Sequence, residues 1–305
     1  MVNFRYHLVS LIAVFTALAI GVVLGAGPLQ SRIADAARPE AAGPVIDSAE
    51  LERAKTTAST EASAVDAVGA QVLPGVLKDV PVALVSLPGT SAQDVAKVRE
   101  NLTTAGANVV GAVTLTDNWD TEAKARFRQT LATSLESHLS RNVGADVTPD
   151  GVIGHAIVEI LTTTGAERDV VKEILTDKDS PLISLDEDPQ GKATAIVVVG
   201  PRTSGVTGAV AQAQSGDQVR SVAAWTGTAA AVALAPKGGV VLGDGSTDAS
   251  MIAQIRTLGA AVTTVDSVGT SAGALGAVLA LPTAGPAARA FGTGVGASEA
   301  MPKIK

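Results

Sequence analysis

"VPVALVSLPGTSAQDVAKVRENLTTAGANVVGAVTLTD" (80–117) decides the fold. Its first part, 80–89, is an unbroken apolar run closed by Pro88-Gly89, the pattern of a strand buried on both faces. The middle, 91–107, is amphipathic at helical spacing, opens on the capping residue Ser91 and stops at Gly106. Residues 108–117 are apolar again. Strand, helix and strand with short joints make a βαβ unit, and such a unit sets a parallel pair of strands.

The alternation continues downstream. Residues 120–178 read as helical, carried by "TEAKARFRQTLATSLESHLS", "GHAIVEILTTTG" and "ERDVVKEILTD". "ATAIVVVGP" (193–201) is a third buried strand, followed by a helix near 205–213 and a nearly uncharged one over 217–235. "GGVVLGDG" (238–245) and "AVTTVD" (261–266) are the fourth and fifth strands, with a crossover helix at 248–260 between them and a last helix at 270–281. This order predicts an α/β fold: a Rossmann-like, parallel-sheet domain over 78–285, covered on both faces. Pro282 and Gly285 end the order, and 286–305 is expected to be a flexible tail. The apolar stretches 221–235 and 272–281 are shorter than a membrane span and read as buried crossover helices.

Upstream, "DSAELERAKTTASTEASAVDAVGAQVL" (47–73) opens on Asp47 with Glu50 as a capping-box partner. Leu51, Ala58, Val65 and Val72 recur every seven residues, and Val68 takes the complementary position. The spacing predicts a helical stalk over 28–77 with a weak coiled-coil seam and a homo-oligomer formed through it. The plain alternative is a single amphipathic helix resting on the next domain. Further back, "HLVSLIAVFTALAIGVVLGAG" (7–27) holds only Ser10 and Thr16 as polar residues from Leu8 to Gly27. A helix of that length spans about 30 Å, the hydrocarbon thickness of a bilayer. A secretory h-region is shorter, and Pro28 directly follows the small residues that could mimic a cleavage site. Residues 1–27 therefore read as a short head and a transmembrane anchor, with the lipid bilayer as partner of 8–27. The short head is placed inside and residues 28–305 outside.

Composition narrows the chemistry. The 305 residues carry a net charge of −7, which disfavours nucleic acid as a partner. Cysteine is absent, which excludes disulfides, a thiol nucleophile and a zinc-thiolate site. No G-x-S-x-G elbow is present, and none of His7, His138 and His155 has a second histidine at metal-ligand spacing. Asp186, Glu187 and Asp188 form an acidic run that reads as a solvated loop, its spacing unlike that of a calcium loop. Neither catalytic residues, nor a metal site, nor a cofactor is expected. "GDGSTD" places Gly243 and Gly245 as the first two glycines of a dinucleotide fingerprint, but the third position holds Asp248. An acid there would repel a phosphate and reads better as a helix cap. "GTGVG" (292–296) lies outside any strand–turn–helix context and reads as linker. Asp266 ends the fifth strand, where α/β folds place ligands, with a cap for the following helix as the alternative. Gly243, Gly245 and Asp266 are the candidate ligand or partner site.

The N-terminal "NFRYHLVSLIAVFTALAIGVVLGAG" resembles the actinobacterial MctB-like family, labelled copper transport outer membrane proteins, and "ATAIVVVGP", "TTVDSVGTSAG" and "FGTG" are similar to its later landmarks. The stalk departs from the family pattern, being short and Ala-rich where relatives often carry a longer coiled coil. The resemblance implies copper transport or homeostasis, as a pore in the outer envelope. It also implies an alternative: a cell-envelope and division scaffold that binds an envelope protein partner regulating peptidoglycan hydrolysis. The residues speak against a β-barrel pore, which needs alternating strands and aromatic girdles; this chain has one Tyr, two Trp and four Phe. Cu(I) selects Cys and Met, and the methionines are Met1, Met251 and Met301.

Overall fold

The computed structural model describes residues 48–140, 143–144, 147–202 and 219–303. The head and anchor expected at 1–27, the helix expected near 205–213 and the Asp47 cap lie outside the described residues. Among the described residues, no helix is long and apolar enough to cross a membrane. The chain divides into two units, 1–58 and 59–305. Of the first, the described part is the opening of helix α1 (Ser48–Val72), whose residues 48–60 are all exposed.

The second unit is an α/β sandwich. Its strands are β1 (Pro81–Ser86), β2 (Asn108–Leu115), β3 (Ile183–Glu187), β4 (Ala195–Val199), β5 (Gly239–Leu242), β6 (Thr263–Val265) and β7 (Arg289–Phe291). They form one sheet in the order β3-β2-β1-β4-β5-β6-β7. The core order 3-2-1-4-5-6 is that of doubly wound nucleotide-binding folds. Every pairing is parallel except β2 with β3. The βαβ unit at 80–117 is realised with Ala83 opposite Gly111 and Ser86 opposite Thr114. β4 reads Ala-Ile-Val-Val-Val and is buried at every position, because it has sheet neighbours on both sides and helices on both faces.

Two apolar cores flank the sheet. One joins Val82, Leu84, Val197 and Val240 to helices α2 (Ala92–Thr104) and α9 (Ser271–Ala280). The other joins Ala83, Val85, Ile196 and Val198 to a second layer of helices. That layer comprises α4 (Ala125–Glu136), α5 (Pro149–Thr162), α6 (Ala166–Leu175), α7 (Val222–Ala233) and α8 (Met251–Thr257), reached through a single turn, α3 (Asp117–Asp120). Alternate residues of β1, β4 and β5 feed opposite cores, as pleating requires. Helix α5 is buried from Gly151 to Leu161 except His155. It crosses α7 at glycines: a Cβ on Gly154 would stand 2.8 Å from Thr228 Cα, and one on Gly227 would stand 2.7 Å from Gly151 N. Arg128 is 1% exposed and ties this layer together, donating to Asp150 Oδ1 and to the Thr121 carbonyl at 2.6 Å each.

Three expectations are corrected. The acidic run is exposed, as expected of a solvated segment, but it is not all loop: Asp186 and Glu187 belong to β3, an antiparallel edge strand. Thr114 donates to Asp186 at 2.6 Å, Arg99 pairs with Glu187 at 2.9 Å, and Lys172 pairs with Asp188. An edge strand has one side without a neighbour, so it accommodates charge that a central strand would not. The tail is not free either. Residues 289–291 form β7 beside β6, and Ala290 O accepts from both Ser298 N and Glu299 N. A strand of three residues carries no readable periodicity, and long-range pairing alone creates it. The heptad seam, finally, is not an uninterrupted oligomer face. Val65 and Val72 pack against the α2–α9 core, and Gly69 lies against Leu275. Leu73 and Leu77, expected in the stalk, are fully buried in that core. Leu51 (43% exposed), Ala58 and Val68 (53%) keep their apolar surface open.

Candidate functional site

Strand β5 ends at Leu242 and β6 at Val265, so parallel neighbours bring Gly243, Gly245 and Asp266 together at their carboxyl ends. Gly243 N donates to Val265 O at 3.1 Å. A Cβ on Gly245 would stand 2.8 Å from that of Asp266. The three residues are neighbours, but the carboxylate is already engaged within the chain. Asp266 is 1% exposed. It accepts from Ser267 Oγ at 2.7 Å and from Thr293 N, Gly294 N and Arg256 Nη1 at 2.9 Å each. Burial alone would raise its pKa, but these donors together hold the carboxyl below the ordinary aspartate range. Arg256 in turn donates to Thr264 Oγ1, Val295 O and Phe291 O.

The glycine-rich segment expected as a linker is what wraps this carboxylate. Successive amides of 293 and 294 cradle it as backbone nests cradle phosphates, with the anion supplied by the chain itself. Gly292 makes this possible: its φ is 124°, and a Cβ there would lie 1.9 Å from Asp266 Oδ1. Val295 N then donates to Gly245 O at 2.8 Å, closing the segment over the β5 end. Neither cap expectation is met. Helix α9 is capped by Thr270 Oγ1 accepting from Gly273 N at 3.0 Å, and α8 starts after Ser250 rather than Asp248.

The strand order places the topological switch point between β1 and β4, where ligands of such folds usually bind. Two residues the sequence reading did not single out meet there. Arg202 donates through Nε and Nη2 to the two oxygens of Asp94, both at 2.9 Å. Gly269 makes room for this fork, since a Cβ there would be 2.7 Å from Arg202 Nε. A cavity of about 100 Å³ between α2 and α9 is lined by Asp94, Lys97, Gly269, Thr270 and Ser271. Lys97 is held by Asp66 and Glu100, each at 3.1 Å. The signal for this pair was positional: Asp94 follows the first strand's turn and Arg202 follows "ATAIVVVGP". It becomes legible only once β1 and β4 are known to be neighbours.

On the other face stand both tryptophans. Trp119 Nε1 donates to Thr228 Oγ1, and Trp225 Nε1 to Asp120 Oδ2, each at 3.0 Å. Asp120 also holds Arg220 at 2.6 Å, and burial pushes its carboxyl up against the lowering effect of Trp225 and Arg220. Met251 and both indoles line a small cavity of about 10 Å³. Met301, by contrast, packs on the α2–α9 core. The sheet therefore lies between Met251 and Met301. His138 Nδ1 is 2.8 Å from Glu167, and His155 borders a recess beside Glu159. Among the described residues, no group of three or more His, Cys, Asp or Glu is placed to hold a metal ion.

Fold and site together define a Rossmann-like α/β domain whose strand-end charges are paired within the chain. The family described as "Copper transport outer membrane protein, MctB" matches residues 1–302, and this chain belongs to it. The protein named "Copper transporter MctB" in Mycobacterium tuberculosis is 29% identical over 303 residues, 92% of each chain. Its namesake in Mycobacterium leprae is 29% identical over 306 residues with the same coverage.

Proposed function

We propose that this chain is a membrane-anchored envelope protein serving copper homeostasis through contacts with other proteins, with no catalytic step of its own. Family membership over residues 1–302 and relatives named copper transporters support the copper link and a membrane setting. In this reading residues 8–27 form a single-pass anchor, the bulk of the chain is extracytoplasmic, and α1 pairs with a second copy. One observation shapes the mechanism. Cu(I) is held by several soft donors at once, whereas Met251 and Met301 belong to opposite sides of the sheet. The domain is thus not built to carry copper on these two thioethers.

A deletion strain tests this. Cellular copper should change while cell shape stays normal, and a Met251→Leu/Met301→Leu variant should restore copper to the parental level. Failure of that variant, correctly folded, would establish direct handling by thioethers. The second reading, an envelope and division scaffold for regulators of peptidoglycan hydrolysis, is favoured by the exposed apolar side chain of Val68 on α1. It predicts the reverse phenotype, altered shape with unchanged copper.

A further inference from the structure

Helix α8, the start of β6 and strand β7 border a cavity of about 210 Å³, whose wall includes the Arg256 of the charge pair with Asp266. Its apolar wall comes from Ile255, Ala260, Val262 and Ala290. Its hydroxyl groups are spoken for: Thr264 Oγ1 donates to Arg289 O at 3.1 Å, and Ser298 Oγ donates to Ala290 O at 2.9 Å. The ionisable side chains in the wall are two arginines, with no carboxylate among the lining residues. Arg256 is neutralised from behind by Asp266, and four of its five N–H donors are taken by protein oxygens. Arg289 differs: it is exposed, and among the described residues it has no carboxylate within ion-pair distance. An unpaired guanidinium beside an apolar recess suits a small anion that carries a hydrocarbon portion. A planar carboxylate matches the fork of donors, and a hydrocarbon portion gains from leaving water. The volume is below the roughly 300–1,000 Å³ of drug-sized pockets, so the hydrocarbon portion must be short.

We propose that this cavity binds a short aliphatic carboxylate, with Arg289 holding the acid group and Ile255, Ala260 and Val262 receiving the chain. The test is titration of hexanoate into the full-length protein in lipid nanodiscs, read by saturation-transfer NMR against empty nanodiscs. Saturable binding is expected. Arg289→Glu should weaken it by about tenfold or more, the size of a lost hydrogen bond to a charged group. Ala260→Leu, which fills the recess and leaves Arg289 in place, should weaken it similarly. Because Arg289 is exposed, its replacement leaves the fold intact, and unchanged tryptophan fluorescence checks this. Three outcomes would overturn the proposal: no saturable binding, equal binding by Arg289→Glu, or inorganic phosphate competing as well as hexanoate. The last would mean that charge alone is recognised.

Discussion

Replacing Asp266 by alanine removes the acceptor of four hydrogen bonds at once. Arg256, 7% exposed, would be left with neutral oxygens only. Breaking a buried ion pair from one side costs about 3–5 kcal/mol, mostly because the surviving charge stays buried. The amides of Thr293 and Gly294 add little, since Thr293 is exposed and water can reach that end of the segment. A loss of about 4 kcal/mol is therefore expected, a large share of the roughly 5–15 kcal/mol that holds a domain folded. At this size it corresponds to a melting point lower by about 8–16 °C. Urea and thermal unfolding of the full-length protein, followed by tryptophan fluorescence, measure it, because Trp119 and Trp225 both sit in the α/β domain. Arg256→Met should be costly alone but nearly harmless in the Asp266→Ala background, giving a coupling of at least about 2 kcal/mol. A loss below about 1 kcal/mol, or additive single effects, would refute the clamp and return Asp266 to the ligand-site reading. The pH dependence has a definite sign. The folded-state pKa of Asp266 is lowered, so its contribution is complete above the unfolded value of about 3.9. It is lost as pH falls further, through the folded-state value.

Asp120 should behave in the opposite way. Its folded-state pKa is raised, so its destabilising effect is complete at neutral pH and fades as pH falls through that value towards the unfolded one. Asp120→Asn should therefore lose stability more steeply on acidification than the parent, measured as urea midpoints between neutral and mildly acid pH. Gly292→Ala combines an unfavourable φ with a Cβ inside the Asp266 carboxylate; a cost of about 3 kcal/mol or more is expected by the same unfolding assay. On α1 the two faces should separate. Val65→Asp should destabilise by about 1–3 kcal/mol because it packs on the core, whereas Val68→Asp should stay within about 0.5 kcal/mol. If α1 pairs copies, Leu51→Asp/Val68→Asp should convert the oligomer to a monomer in sedimentation, and an unchanged mass would remove the stalk as the pairing element.

Much of the fold was legible at 80–117 and 193–201. A strand buried on both faces must be apolar at every position, and Pro-Gly or Gly at each end marks where it stops. The strand ends were legible for the same reason, so Gly243, Gly245 and Asp266 could be grouped before any coordinates. β3 and β7 were not legible. One is an edge strand bearing acids whose partners lie far away in sequence, at Arg99 and Lys172. The other is three residues long, in a segment whose glycines suggested a linker.

The amino-acid sequence by itself determined the alternation of strands and helices, the lack of thiol chemistry and the apolar stretch at 8–27. Each is a property of local composition or period. Only tertiary structure decided what the charged groups do. Whether Asp266 faces a ligand or Arg256, whether Asp94 is free or held by Arg202, and whether Val65 meets a second copy or its own domain all depend on which elements become neighbours. Neighbour choice is set by sheet order and helix packing, and contacts across some 25 to 110 residues of chain leave no local trace.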